Sequence, residues 1–143
     1  MPIISDKDQK VVRDMFNVMD KQVKLVFFEK TEECQYCEEI DQLLSELVQL
    51  SDKLTLEKRN INSDQELAGK LAVDKAPAIV LLGEDDRDYG IRFYGIPAGY
   101  EFSALLEDIT MVSMGESGLQ QSTRTALEQL KNPVNLKVFV TPT

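Results

Sequence analysis

Val23-Lys24-Leu25-Val26-Phe27-Phe28-Glu29-Lys30-Thr31-Glu32-Glu33-Cys34-Gln35-Tyr36-Cys37 is the stretch whose reading decides the fold. Its first six residues are too β-branched and aromatic, over too short a run, to suit a helix, and they predict a buried strand. Glu29 to Glu33 is a polar crossing that delivers Cys34. Beyond it Cys37, Ile40, Leu43, Leu44, Leu47, Val48 and Leu50 recur at three- and four-residue spacing, with Glu38, Glu39, Asp41, Gln42, Ser45 and Glu46 between them. That pattern predicts an amphipathic helix. A C-x-x-C pair at a strand-to-helix junction places its first sulfur at the helix N-terminus, where unpaired N–H groups and the positive dipole end favour thiolate. Its second sulfur then lies one turn inside, close enough to close a small disulfide ring. Cys34, at the exposed end, is assigned the attack on a substrate disulfide, and Cys37, which begins the buried stripe, the resolving step.

These are the chain's two cysteines. A structural disulfide is one alternative, but 143 residues bury roughly two-thirds of the unfolded surface and need no staple. Zinc needs about four ligands, and with no histidine and no third cysteine, carboxylates or a second chain would have to complete the set. Two inert thiols at a helix start remain the third alternative. The flanking pattern favours redox chemistry, with no metal and no cofactor expected.

With 43% hydrophobic residues, 29% charged residues and a net charge of −9, the composition is that of an ordinary globular domain. The acidic balance and the lack of a Lys/Arg run argue against nucleic acid or an anionic membrane as partner. Met1 to Lys7 has no basic segment followed by an apolar core, and no run approaches membrane-spanning length, so a cytoplasmic location is expected.

Working outward, Ser5 or Asp6 is expected to cap a first helix with Val11, Val12, Met15, Phe16 and Met19 inward. Leu54 to Lys58 reads as a second strand, and Asn62, Ser63 or Asp64 as the cap of a short helix through Leu71. Helix, strand, helix, strand, helix predicts a parallel crossover. Pro77 stands at the mouth of the apolar run Ala78–Leu82, where its lack of an N–H is tolerated. Ile91 to Tyr94 is expected to pair back antiparallel after the turn at Gly83 to Asp86, and Glu101 to Ser113 to form a further helix. A helical pattern over Ser122–Leu130 and the strand-like run Val134–Val140 follow, the latter similar to Val23–Phe28.

The order of these elements, with C-x-x-C after the first strand and Val73-x-x-x-Pro77 before the hairpin, resembles the thioredoxin fold. More narrowly, Cys34-Gln35-Tyr36-Cys37 together with Tyr89-Gly90-Ile91-Arg92-Phe93-Tyr94-Gly95-Ile96-Pro97-Ala98-Gly99-Tyr100-Glu101-Phe102 resembles the glutaredoxin-like protein disulfide oxidoreductases. The resemblance implies an α/β, thioredoxin-like fold: a mixed central sheet flanked by helices, with an extra N-terminal helix and a C-terminal helix-strand extension. It implies that Pro77 is cis and faces the cysteine pair, and that the backbone at Ala76 pairs with an extended substrate segment. Gln35, Tyr36, Ala76 and Pro77 are therefore the candidate substrate-binding residues beside the catalytic Cys34 and Cys37.

Proteins of that family carry two such units, so residues 1–115 are expected to form one unit and 116–143 a linker helix and the first strand of a second. On that reading Val134–Val140 docks on its own sheet or mediates self-association. Two departures from the thioredoxin pattern stand out: Glu33 replaces the tryptophan before the first cysteine, and Phe27 and Phe28 occupy the place of a buried aspartate. Glu29 and Lys30 are the remaining candidates for a base. Glu32, Glu33, Glu38 and Glu39 crowd Cys34, so a less acidic thiol than in a strong oxidase is expected. Two functions stay open. One is thiol–disulfide exchange on protein disulfides or dithiols, fed by an upstream reductase, and the other a non-autonomous relay or binding module of a larger disulfide reductase system.

Overall fold

The computed structural model describes residues 1–141. Among them the elements run α1 (Asp6–Phe16), β1 (Val23–Glu29), α2 (Cys37–Leu47), β2 (Leu54–Asn60), α3 (Gln65–Lys70), β3 (Ala78–Leu82), β4 (Asp88–Tyr94), α4 (Tyr100–Met114) and α5 (Gln121–Leu127). The strands form one sheet in the order β2-β1-β3-β4. β1 pairs parallel with β2 and antiparallel with β3, and β3 pairs antiparallel with β4, so the crossover and the hairpin are both as the sequence predicts.

Strand alternation splits the interior in two. Val23, Leu25 and Phe27 of β1, with Ile79 and Leu81 of β3, face the apolar stripes of α1, α2 and α4. Val26 and Phe28, with Ala78, Val80 and Leu82, face Ala68, Leu71 and Val73 on the α3 side. Because β3 and the Leu25–Phe28 part of β1 are covered on both faces, those stretches are continuous apolar runs rather than alternating ones, and the flanking Lys24 and Glu29 are only partly buried.

Several expectations are corrected in detail. Ser5 is the cap of α1, its hydroxyl accepting from the Asp8 N–H at 3.2 Å, but Val11 faces solvent. Asp64 occupies the cap position of α3 without capping it. Its carboxylate instead accepts from the Asn60 N–H at 3.0 Å and pairs with Arg59. At the C-terminus the expected helix forms as α5, whereas Val134–Val140 is exposed and lies outside the sheet. A single strand has no ladder of its own, and β2 and β4 remain the sheet's edges without it. The last two residues of the 116–143 segment lie outside the described residues.

Two ties fasten the end of the sheet opposite the cysteines. Ser113, fully buried, donates its hydroxyl to the Lys21 carbonyl at 2.7 Å and accepts from the Asp20 N–H at 2.9 Å, joining α4 to the turn before β1. Ser113→Ala leaves both groups without that partner and is expected to cost about 1–3 kcal/mol, read from denaturant unfolding. A change below a few tenths would mean that water replaces the hydroxyl at no cost. The second tie is Glu46, whose carboxylate accepts the Ile3 and Ile4 N–H groups, each at 2.9 Å. Partial burial pushes that carboxyl up. The N–H groups of Ile4 and Ile3, the Gln42 amide and the terminal ammonium outweigh burial and hold it below its ordinary value.

Candidate active site

The strand register collects the candidate residues at one end of the sheet. Phe28 is opposite Ala78, Glu29 opposite Asn60, and Ala78 opposite Tyr94. The C-terminal end of β1, which delivers the cysteines, therefore lies beside the N-terminal end of β3, which Pro77 precedes. The loop from Tyr94 to the start of α4 lies there too, and the Gly95 N–H donates to the Pro77 carbonyl at 3.1 Å.

Cys34 and Cys37 are joined as a disulfide with their Cα atoms 5.5 Å apart. Cys37 is 7% exposed and sits within the larger core, while Cys34 is half-buried at its margin. The asymmetry needed for one attacking and one resolving sulfur is present. One detail differs from expectation: α2 starts at Cys37, so Cys34 lies in the turn before the helix rather than in its first turn. Left-handed backbone at Glu33 (φ 52°) and Tyr36 (φ 67°) explains the shift, because neither residue can extend a right-handed helix. Such conformations cost non-glycine residues on the order of 1–3 kcal/mol each and cluster at working sites. Glu32, Glu33, Gln35, Glu38 and Glu39 are exposed around the pair, as is Tyr36 at 40%.

The Ala76–Pro77 peptide is cis, and both residues are half-buried. Gln35, Tyr36, Ala76 and Pro77 thus lie on elements that meet at one end of the sheet. Among the described residues no group of three or more His, Cys, Asp and Glu side chains is placed to hold a metal ion.

Glu101, in the first turn of α4 at the same sheet end, has its carboxyl pushed up by burial, with no opposing partner. Its burial is not legible in the sequence, where Tyr100-Glu101-Phe102 reads as an ordinary helix start and the candidates for a base, Glu29 and Lys30, stand at the end of β1. A carboxyl raised in the folded chain stabilises when protonated, below its unfolded value, and loses that contribution as pH rises through the folded value. Glu101→Gln is therefore expected to be more stable than wild type at neutral pH and equal to it in acid. Thermal melts at pH 3.5 and 7 check this, and a variant less stable at pH 7 would contradict it.

No protein-family model matches the sequence, and a comparison with curated proteins finds no match. Solved structures do match. A protein disulfide oxidoreductase from Aeropyrum pernix K1 is 29% identical with a TM-score of 0.78, over 90% of this chain and 56% of that one. An alkylhydroperoxide reductase component of Enterococcus faecalis is 25% identical with a TM-score of 0.80, over 88% of this chain and 60% of that one. Fasciola hepatica thioredoxin, at 21% identity and TM-score 0.52, shares the fold. The chain spans less than two-thirds of the length of the first two. The fold is thioredoxin-like, with a C-x-x-C disulfide where β1 meets α2.

Proposed function

We propose that the chain is a thiol–disulfide oxidoreductase acting on protein disulfides through the Cys34/Cys37 couple. The observation that carries this reading is the unequal burial of the two sulfurs at the sheet end shared with Pro77. In the reducing direction the Cys34 thiolate attacks a substrate disulfide, forming a mixed disulfide and releasing one substrate thiolate. The Cys37 thiolate then attacks the Cys34 sulfur, which closes the Cys34–Cys37 disulfide and releases the second substrate thiolate. Two electrons pass to the substrate, and the reverse sequence oxidises a dithiol.

Substrate chain is held at Ala76 by backbone pairing beside Pro77, and the exposed Gln35 and Tyr36, between the two cysteines, supply further contacts to it. A reductase upstream regenerates the dithiol, a role that the likeness to an alkylhydroperoxide reductase supports. We read residues 116–143 as a linker helix and the entry strand of a second, glutaredoxin-like unit. The similarity of Val134–Val140 to Val23–Phe28 supports it, as does the share of the matched chains that is covered. A reducing, cytoplasmic setting suits a C-x-x-C used for catalysis rather than for stapling. Insulin reduction by dithiothreitol tests the reading: the wild-type chain should accelerate it over Cys34→Ser and Cys37→Ser controls, and equal rates would overturn it.

A further inference from the structure

Arg92 lies at the middle of β4, opposite Val80, on the face that carries α3. Only 15% of its side chain is exposed, yet every donor of the guanidinium is used. Nε and Nη2 donate to the Leu71 carbonyl at 3.2 and 2.8 Å. Nη1 and Nη2 donate to the Asp88 carboxylate at 2.9 and 2.6 Å, and Nη1 also to the Ile91 carbonyl at 3.1 Å. The Arg92 hydrogen bond holds the Asp88 carboxyl below its ordinary value, against partial burial, so this anchor stays ionised.

Leu71 is the residue on which α3 ends. There Ala72 turns left-handed (φ 54°) and the Val73 N–H returns to the Ala68 carbonyl at 2.8 Å. Six residues beyond Leu71 is Pro77. Two positions along the same face of β4, the Tyr94 ring lies under the Lys75 ammonium, 4.8 Å from the ring centroid. One strand face therefore grips the α3–β3 connection at both ends, Arg92 at its entry and Tyr94 near its exit.

We propose that Arg92 is a positioning residue that fixes the Val73–Pro77 segment for docking of a polypeptide substrate, without touching either cysteine. The proposal rests on the oxidoreductase reading above. A lysine cannot replace the arginine, because a single ammonium cannot bridge the Leu71 carbonyl and both Asp88 oxygens. The segment matters for a protein disulfide that pairs with Ala76, and not for a small disulfide that reaches Cys34 directly.

Kinetics with two oxidants separate these cases: insulin, and a small symmetrical aromatic disulfide reacted with the pre-reduced chain. Arg92→Gln is expected to raise KM for insulin about tenfold with kcat within about twofold, and to leave the small-disulfide rate within about twofold. Arg92→Lys should recover little of the loss. Hydrogen exchange supplies an independent readout, with the Val73 amide losing protection in Arg92→Gln. Should Arg92→Gln not fold, Tyr94→Leu, at an exposed position, is expected to raise KM for insulin about threefold with the same split. An unchanged insulin KM, or a small-disulfide rate that falls in step with it, overturns the proposal. Wild-type insulin reduction no faster than Cys34→Ser would instead defeat the oxidoreductase reading. The positioning claim would then stand or fall on the Val73 amide alone.

Discussion

Cys34→Ser is expected to reduce catalysed insulin reduction to the rate of dithiothreitol alone. A hydroxyl in place of the half-buried sulfur cannot supply the thiolate on which exchange depends, and Cys37, 7% exposed, cannot take over the attack. Cys37→Ser should fail differently. Cys34 remains able to attack once, but no resolving sulfur frees it, so mixed disulfides with substrate accumulate and are visible as a mass shift reversed by excess thiol. If Cys37→Ser turned over like wild type, or if Cys34→Ser were the variant that trapped substrate, the two roles would be reversed or absent.

The second large effect concerns stability. Phe27 is fully buried in the central strand β1, on the face shared with Cys37 and with the stripes of α1, α2 and α4. Strands pair with β1 on both sides, so the backbone cannot sink into the space a smaller side chain would leave. Phe27→Ala is expected to cost about 3–5 kcal/mol in urea unfolding. For a chain of this length that is a fall in Tm on the order of 10–20 °C. A loss below about 1 kcal/mol would show that the larger core repacks freely around β1.

Most of the scaffold is legible from residue spacing, because burial imposes it. Ile40, Leu43, Leu44 and Leu47 mark the inner face of α2, and Leu105, Leu106, Ile109 and Val112 that of α4, where the structure buries them. Val11 breaks the rule: an apolar residue beside the stripe of α1 can stay in water at little cost. The pair Cys34/Cys37 is legible because its spacing and its place between strand and helix are both local. The left-handed turns at Glu33 and Tyr36 are not, since a glutamate and a tyrosine carry none of the signal that a glycine would. Arg92 is hidden for another reason. Its carbonyl partner, Leu71, is 21 residues away and becomes a neighbour only once β4 has paired with β3. Val134–Val140 shows the converse: strand propensity is readable in an isolated run, but a strand exists only where an edge receives it.

The Glu46 tie has a practical meaning for anyone immobilising the chain. Glu46 is nine residues along α2 from Cys37, about 14 Å by helical rise. The Ile3 and Ile4 N–H groups are pinned there, so Met1 emerges near the end of α2 remote from the disulfide. A linker, dye or electrode contact attached through the first residue leaves the cysteine end facing outward and open to large partners.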